Sequence, residues 1–160
     1  MSEEVLGTPE QQQPVFAIEK IYVKDASLEI PGAPNIFLER EAPNIEVQLT
    51  TGGGNVSEGI YDASVKVTVT ATLGERVMFL VEVTQGGVFR IMNLPDSEIP
   101  AILGMACPNI LFPYLRETVS DLTTRAGFPP VLLNPVNFEA LYAQQLANTQ
   151  VGTNVGNTSH

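Results

Sequence analysis

The sequence contains few side chains that could act as a nucleophile or a general base. Its 160 residues include one cysteine, Cys107, and one histidine, His160. A catalytic thiol needs a neighbouring group that lowers its pKa, and the single imidazole stands at the end of a polar C-terminal segment. We therefore expect Cys107 to be a buried or half-buried thiol and His160 to be solvated. The same counts exclude an internal disulfide and a Cys/His zinc cluster within one chain.

Carboxylates are the other groups that could do chemistry. The sequence has no P-loop, GxGxxG or HExxH motif, and Asp25 and Glu29 lack a spacing typical of metal ligands. Carboxylates on a strand most often belong to a solvated face. The residues therefore assemble neither a catalytic centre nor a metal or cofactor site. We expect a protein that is not an enzyme.

The charge balance limits the classes of partner. The chain carries 18 acidic and 8 basic side chains, for a formal net charge of −10. A negative field repels nucleic acid and anionic lipid surfaces, so a basic or metal-bearing protein is a better candidate. Residues 1–13 contain no Lys or Arg and no apolar run, unlike a secretory signal. No stretch approaches the roughly 20 apolar residues of a membrane span. We therefore expect a cytoplasmic protein.

Two apolar features do not fit an ordinary solvated surface. Met78 and Leu80 share a predicted strand face with Glu82, and this apolar and acidic mixture on a Thr-rich outer face suggests a contact surface. The chain also has more apolar residues than a subunit of its size hides easily. They include a stripe on the last predicted helix, Val47 and Leu49 on the second predicted strand, and Ile36, Phe37 and Leu38 in the 31–43 loop. One ordinary core would account for them, and so would an oligomer interface or an exposed apolar groove.

The elements that position these residues begin with strands. Alternation of apolar and polar side chains over 45–50, 64–73 and 77–84 predicts antiparallel strands with one polar face, and Gly74-Glu75 predicts a hairpin turn. An earlier strand over 15–28 changes parity, which indicates either a bulge near Glu19 or burial on both sides. We expect a bulge or bend at Gly86-Gly87, an ordered loop over 31–43 and a flexible connection over 51–57.

The second half of the chain is predicted to be helical. A short helical turn over 98–103 precedes a longer helix with an apolar stripe, which ends at Gly127 and Pro129-Pro130. Pro113 occupies either its first position or a bent first turn. A last helix begins near Asn137. Strands followed by helices predict an α+β fold, with a four-stranded antiparallel sheet and helices packed on one face.

The composition divides the chain into one folded domain and two polar ends. We expect a disordered arm over residues 1–14, a single folded domain over residues 15–148 and a flexible tail over residues 149–160.

Several segments together resemble the bacterial SecB-type protein-export chaperones. The most specific is CPNILFPY at 107–114, followed downstream by NPVNFEALY at 134–142. The segments IYVKD at 21–25, TVTATLGE at 68–75 and QGGVF at 85–89 occur in the same order, and the similarity runs from about Phe16 to Leu146.

The resemblance implies a cytoplasmic homotetramer, built as a dimer of dimers. Such proteins bind unfolded precursor proteins without ATP, keep them competent for export and deliver them to the SecA translocation ATPase. They use no cofactor, and they neither bind nucleic acid nor insert into the membrane. Any zinc at the contact would belong to SecA.

The resemblance also assigns residues. The SecA-binding surface corresponds to Asp25, Glu29, Leu80 and Glu82. The client-binding groove corresponds to Val47, Leu49, Tyr142 and Leu146. The oligomer interface corresponds to Phe79, Val81, Val83 and Gln85. The chain departs from the family's pattern at Arg76, where a second acid is expected after Glu75, and in a tail that is not acidic.

Three other functions remain as alternatives. The same fold serves SecB-like chaperones that stabilise an antitoxin, and the nature of the client distinguishes them from export chaperones. A small-molecule enzyme would need a titratable constellation and would gain thermal stability from a small ligand. A purely structural oligomer would have no affinity for denatured proteins.

Overall fold

The computed structural model describes residues 12–155, and side chains up to residue 149. Four strands come first: β1 (Val15–Glu29), β2 (Asn44–Ser57), β3 (Ile60–Leu73) and β4 (Arg76–Met92). They form one antiparallel sheet in the order β1-β4-β3-β2. Helix α1 (Cys107–Arg125) and helix α2 (Phe138–Val155) follow. The predicted α+β fold is confirmed.

The core lies between the inner face of the sheet and α1. Alternate residues of β3 and β4 point inward, and their branched side chains are completely buried beneath α1, which contributes Leu111, Leu115 and Val119. The opposite, outer face of the sheet is rich in Thr, Ser and charged residues. This one-sided burial follows from the alternation in the sequence.

The parity change in β1 comes from a bulge. The pairing of β1 with β4 shifts between Ile18 and Lys20, and it shifts again between Val23 and Asp25. Each bulge inserts one residue, so the apolar side chains on both sides of it return to the inner face. The bulge alternative near Glu19 is therefore confirmed.

One prediction about glycines is wrong, and of the bulge or bend expected at Gly86-Gly87 the bulge is excluded. Residues 51–57 are not a flexible connection, because β2 continues through Gly52-Gly53-Gly54 and pairs with β3 up to Ser57. No bulge occurs at Gly86-Gly87, because β4 pairs with β3 there without a shift. These glycines instead allow close packing: a Cβ at Gly86 would lie 2.6 Å from the Tyr22 ring, and one at Gly87 would lie 2.9 Å from the Leu111 side chain.

Met78 faces inward, contrary to the prediction. The β3–β4 pairing shifts so that Ala71 opposes Phe79 while Thr72 opposes Val77, which leaves Met78 as an extra residue. This irregularity turns Met78 to the inner face, where it is 5% exposed. Leu80 and Glu82 keep their outward orientation opposite Thr70 and Thr68.

Helical structure runs without a break from Asp96 to Arg125. Pro113 lies inside α1, at neither of the predicted positions, because five residues of π-helix and a short 3-10 and α-helical stretch already lead into Cys107. By length and composition this segment could cross a membrane, contrary to the expectation that no stretch approaches a membrane span. The apolar side chains of this segment that pack on the sheet include Leu111, Leu115 and Val119, and only 28% of its most apolar stretch is buried. Gly127 ends it with a φ of 91°, as predicted.

Helix α2 begins as predicted and ends later than predicted. The backbone N–H of Ala140 donates a hydrogen bond of 3.0 Å to Oδ1 of Asn137, which therefore caps the helix. The helix extends to Val155, so residues 149–155 of the predicted tail are helical. The arm at 1–11 and the end of the tail at 156–160 lie outside the described residues.

Candidate functional site

An apolar groove lies over the inner face of β2. Ile45, Val47 and Leu49 pair with Ala71, Val69 and Val67 and therefore face the same side as the core. Helix α1 packs against β3 and β4 and leaves this strand uncovered. As a result Ile45 is 42% exposed and Val47 is 49% exposed, and the cavity above them measures about 1050 Å³. Such a volume is typical of large ligand sites.

Two loops form the walls of the groove. The loop at 31–43 contributes one wall, where Ile36 is buried and Phe37 is half-exposed. The segment 127–136, which follows α1, contributes the other wall. Phe128 joins them, since its ring lies 5.2 Å from the ring of Phe37 and 4.9 Å from that of Phe79. The lining is therefore mainly aromatic and aliphatic, with Glu39, Arg40 and Glu41 at its rim.

The segment 127–136 is fixed to the end of α1 by a buried hydroxyl. Oγ1 of Thr123 donates to the carbonyl of Val119 and accepts a hydrogen bond of 2.9 Å from the backbone N–H of Val131. Thr123 is completely buried. The hydroxyl thus satisfies a backbone donor in an irregular segment, and it holds that wall against the core.

The groove has the properties of a binding surface, and the cysteine thiol is not part of it. Cys107 does not line it and is completely buried in the core. Burial raises the pKa of its thiol to about 12, which makes it a poor nucleophile near neutral pH. Within residues 12–155 no group of three or more His, Cys, Asp or Glu side chains could hold a metal ion.

The four residues assigned to a client groove lie in three places. Val47 and Leu49 line the apolar groove. Tyr142 instead lines a smaller cavity of about 380 Å³, where its ring packs over Gly104. Leu146 lies one helical turn further along α2, 47% exposed, and lines neither cavity. The sequence missed Met78, Phe79, Phe128 and the segment 127–136 as groove residues; the run FPPVLL at 128–133 was the available signal.

The residues assigned to SecA binding lie together on the outer face of the sheet. Glu29 opposes Leu80, and Asp25 and Glu82 occupy neighbouring outward positions of the same strand pair. Oε1 of Glu82 lies 3.0 Å from Nζ of Lys66, and Oε2 accepts a weak hydrogen bond of 3.5 Å from Thr68. The result is an acidic patch around the half-buried Leu80, with one of its carboxylates already paired.

The residues assigned to an oligomer interface lie inside the chain. Phe79, Val81, Val83 and Gln85 all point to the inner face beneath α1 and are at most 2% exposed. They provide no surface that another subunit could touch, because the chain's own core already covers them. Oε1 of Gln85 is buried without a hydrogen-bond partner among the described residues.

Other apolar side chains remain exposed beside this core. Phe16, Ile18 and Val23 of the edge strand β1 face inward but are 41–50% exposed. Tyr114 of α1 is 50% exposed, and only 28% of the most apolar stretch of the 96–125 helical segment is buried. A second uncovered apolar surface therefore accompanies the groove.

Comparison with known families gives one match over most of the chain. The model of the family described as "Preprotein translocase subunit SecB" matches residues 9–149.

Curated relatives agree with this match. The protein-export protein SecB of Thiobacillus denitrificans is 62% identical over 134 residues, which cover 84% of this chain and 88% of the relative. That of Methylobacillus flagellatus is 60% identical over 145 residues, which cover 91% of this chain and 92% of the relative.

A solved structure shows the same fold. The SecB-like chaperone Rv1957 of Mycobacterium tuberculosis, in complex with a ChAD peptide from the HigA1 antitoxin, superposes with a TM-score of 0.63 at 16% identity. The match covers 76% of this chain and 90% of that chain.

Proposed function

The chain belongs to the SecB family of protein-export chaperones, and on this premise we propose that it holds unfolded precursor segments in the apolar groove and delivers them to SecA. The observation that carries this proposal is the groove itself, a cavity of about 1050 Å³ with an aromatic and aliphatic lining. An unfolded chain exposes the apolar side chains that such a surface can cover.

The energetics of the groove suit many clients. Burial of apolar surface contributes roughly 25 cal/mol per Å² whatever the sequence that supplies it. The aromatic rings of Phe37, Phe79 and Phe128 add large contact areas. Several weakly bound segments on one client raise the overall affinity through effective concentration. No bond is made or broken, so the function needs no nucleotide and no cofactor.

SecA binding is assigned to the outer acidic patch. Its carboxylates at Asp25, Glu29 and Glu82 attract a basic or zinc-bearing segment, and Leu80 adds an apolar contact. The patch and the groove lie on opposite faces of the sheet. A client and SecA therefore do not compete for the same side chains.

Assembly into a homotetramer is supported by the second apolar surface. Phe16, Ile18 and Val23 on β1, together with the exposed side of the 96–125 segment, would be costly to leave in water. The buried side chains Phe79, Val81, Val83 and Gln85 would act on assembly indirectly, by shaping the core beneath that surface. We assign the protein to the cytoplasm, where unfolded precursors meet SecA.

Calorimetric titration with a precursor that a mutation keeps unfolded tests the proposal. We expect submicromolar binding without nucleotide, and no binding to the natively folded mature form. Binding to neither form would overturn the general chaperone function and would favour one dedicated partner, as in the antitoxin-binding alternative. A melting temperature raised by a small metabolite would instead favour an enzyme.

A further inference from the structure

The wall formed by the 31–43 loop is anchored unevenly. Its first half is fixed by Ile36, which is 4% exposed, and by the stacking of Phe37 on Phe128. Its second half, residues 39–43, lines the groove with side chains that are exposed or half-buried. Apolar packing therefore does not fix the position of residues 39–43.

One polar contact ties this second half to the sheet. Nη2 of Arg76 lies 2.9 Å from Oε1 of Glu39, as both an ion pair and a hydrogen bond. Within residues 12–155 no other side-chain hydrogen bond or ion pair involves residues 39–43. The pair joins positions 37 residues apart in the sequence, so it closes the loop against the β3–β4 hairpin.

The hairpin is itself part of the groove. Arg76 is the first residue of β4, and the irregularity directly after it turns Met78 into the groove lining. The ion pair therefore connects the floor of the groove at Met78 to its wall at Glu39–Pro43. Neither charged group has to contact a client for this connection to matter.

We propose that Glu39 and Arg76 are a positioning pair, which holds residues 39–43 in place as a wall of the client groove. The inference rests on the proposed chaperone function. An exposed ion pair is usually worth little for global stability, but it acts here on a segment that has no other side-chain hydrogen bond or ion pair among the described residues. Loss of the pair should therefore free the wall while the fold stays intact, and clients should leave faster.

Charge reversal with rescue tests the pair. The probe is a short uncharged peptide rich in Phe and Leu, with a fluorophore, so that it cannot pair with Glu39 or Arg76. We expect Arg76→Glu to raise its dissociation rate about threefold to fivefold at low ionic strength, and the swap Glu39→Arg with Arg76→Glu to restore the original rate. In about 1 M salt the unmodified protein should approach the rate of Arg76→Glu.

A matched control separates the pair from a general effect of charge. Arg125→Glu makes the same change of charge and breaks a similar pair with Asp121, at 3.0 Å on α1, outside the groove. It should leave the peptide dissociation rate unchanged. If Arg76→Glu and Arg125→Glu behave alike, or if the swap fails to rescue, the inference is wrong. Slower dissociation after Arg76→Glu would also overturn it.

Hydrogen exchange gives a readout that needs no client. Arg76→Glu should accelerate exchange of backbone amides within residues 39–42 and spare those of β3 and β4. If the unmodified protein binds no unfolded chain, the proposed function fails while this exchange experiment still tests the pair. Unchanged exchange in a protein that does bind clients would refute the positioning role alone.

Discussion

The two ends of the inner sheet face are built in opposite ways. At the closed end, Gly53, Ala63 and Gly87 lie side by side across three strands, and Leu103 and Leu111 pack close to the backbone. At the open end, Val47, Val69 and Val81 lie side by side, yet Val47 is 49% exposed because no helix covers this part of β2. One sheet thus supports tight packing at one end and an apolar groove at the other.

The small side chains at the closed end account for much of the close packing between the helical segment and the sheet. A Cβ on Gly87 would lie 2.6 Å from the Phe89 ring, and a Cβ on Gly53 would lie 2.8 Å from the carbonyl oxygen of Asp62. Glycine there lets the helical segment approach, whereas the open end presents full side chains to a loop and a cavity. The groove is therefore a consequence of where the helix stays close to the sheet and where it does not.

The largest expected effect comes from filling the closed end. Gly87→Val adds atoms where a Cβ already overlaps Phe89 and Leu111, so we expect the free energy of unfolding to fall by about 3 kcal/mol or more. Urea denaturation measures this change. As the control, Gly54→Ala meets only a side-chain oxygen at 3.7 Å and should cost much less. Equal losses for the two variants would contradict the tight packing of this end.

A charge at the open end should abolish function while sparing stability. Val47→Asp places a carboxylate in the groove on a residue that is already 49% exposed. We expect affinity for an unfolded precursor to fall about tenfold or more, because a charge there must be desolvated by the client. The neighbouring Gln48→Asp, on the outer face opposite Thr68, should leave calorimetric affinity unchanged. A weak effect of Val47→Asp would exclude this strand from the client site.

Because the Cys107 thiol is buried, we expect the free energy of unfolding to fall at alkaline pH. Burial raises the pKa of Cys107 to about 12, above its ordinary value of 9.0, which we take for the unfolded chain. Above the pKa of the unfolded chain, the unfolded state loses the thiol proton that the folded state keeps. The free energy of unfolding is therefore unaffected below that pKa and falls as the pH rises towards 12, by up to about 1.4 kcal/mol per pH unit. Compared with Cys107→Ala, the protein should lose more stability between pH 8 and pH 10 in parallel urea titrations. Identical slopes would argue against burial of the thiol.

The smallest expected effects distinguish the two cavities. Tyr142 lines the smaller cavity, beside the closed end, so Tyr142→Ala should weaken binding of a long unfolded client about threefold and leave a short groove peptide unaffected. Leu146→Ala, outside both cavities, serves as the comparison and should change either affinity less. If Tyr142→Ala weakens the short peptide as well, the two cavities act as one site.

The pattern of residues determined most of the fold. Alternation over β3 and β4 was sufficient for the sheet, because a face that is apolar at every second residue has to be buried. Asn137 and Gly127 marked helix ends through local hydrogen bonding and backbone freedom. Strand parity places Leu80 and Glu82 on one face, whereas Asp25 and Glu29 were assigned beside them only by the family resemblance, and the pairing of β1 with β4 brings the four together.

Tertiary structure decided the groove and the irregularities. Met78 turned inward because the pairing of β4 with β3 slips by one residue, and no local property of the sequence marks that slip. Gly52-Gly53-Gly54 indicated flexibility, yet it forms strand because it pairs with β3, and at Gly53 the carbonyl oxygen of Asp62 and the Leu103 side chain leave room only for a small residue. Phe37, Phe79 and Phe128 come from three distant segments. Sequence spacing reports on neighbours within one element, whereas the groove depends on which parts of the sheet α1 leaves uncovered.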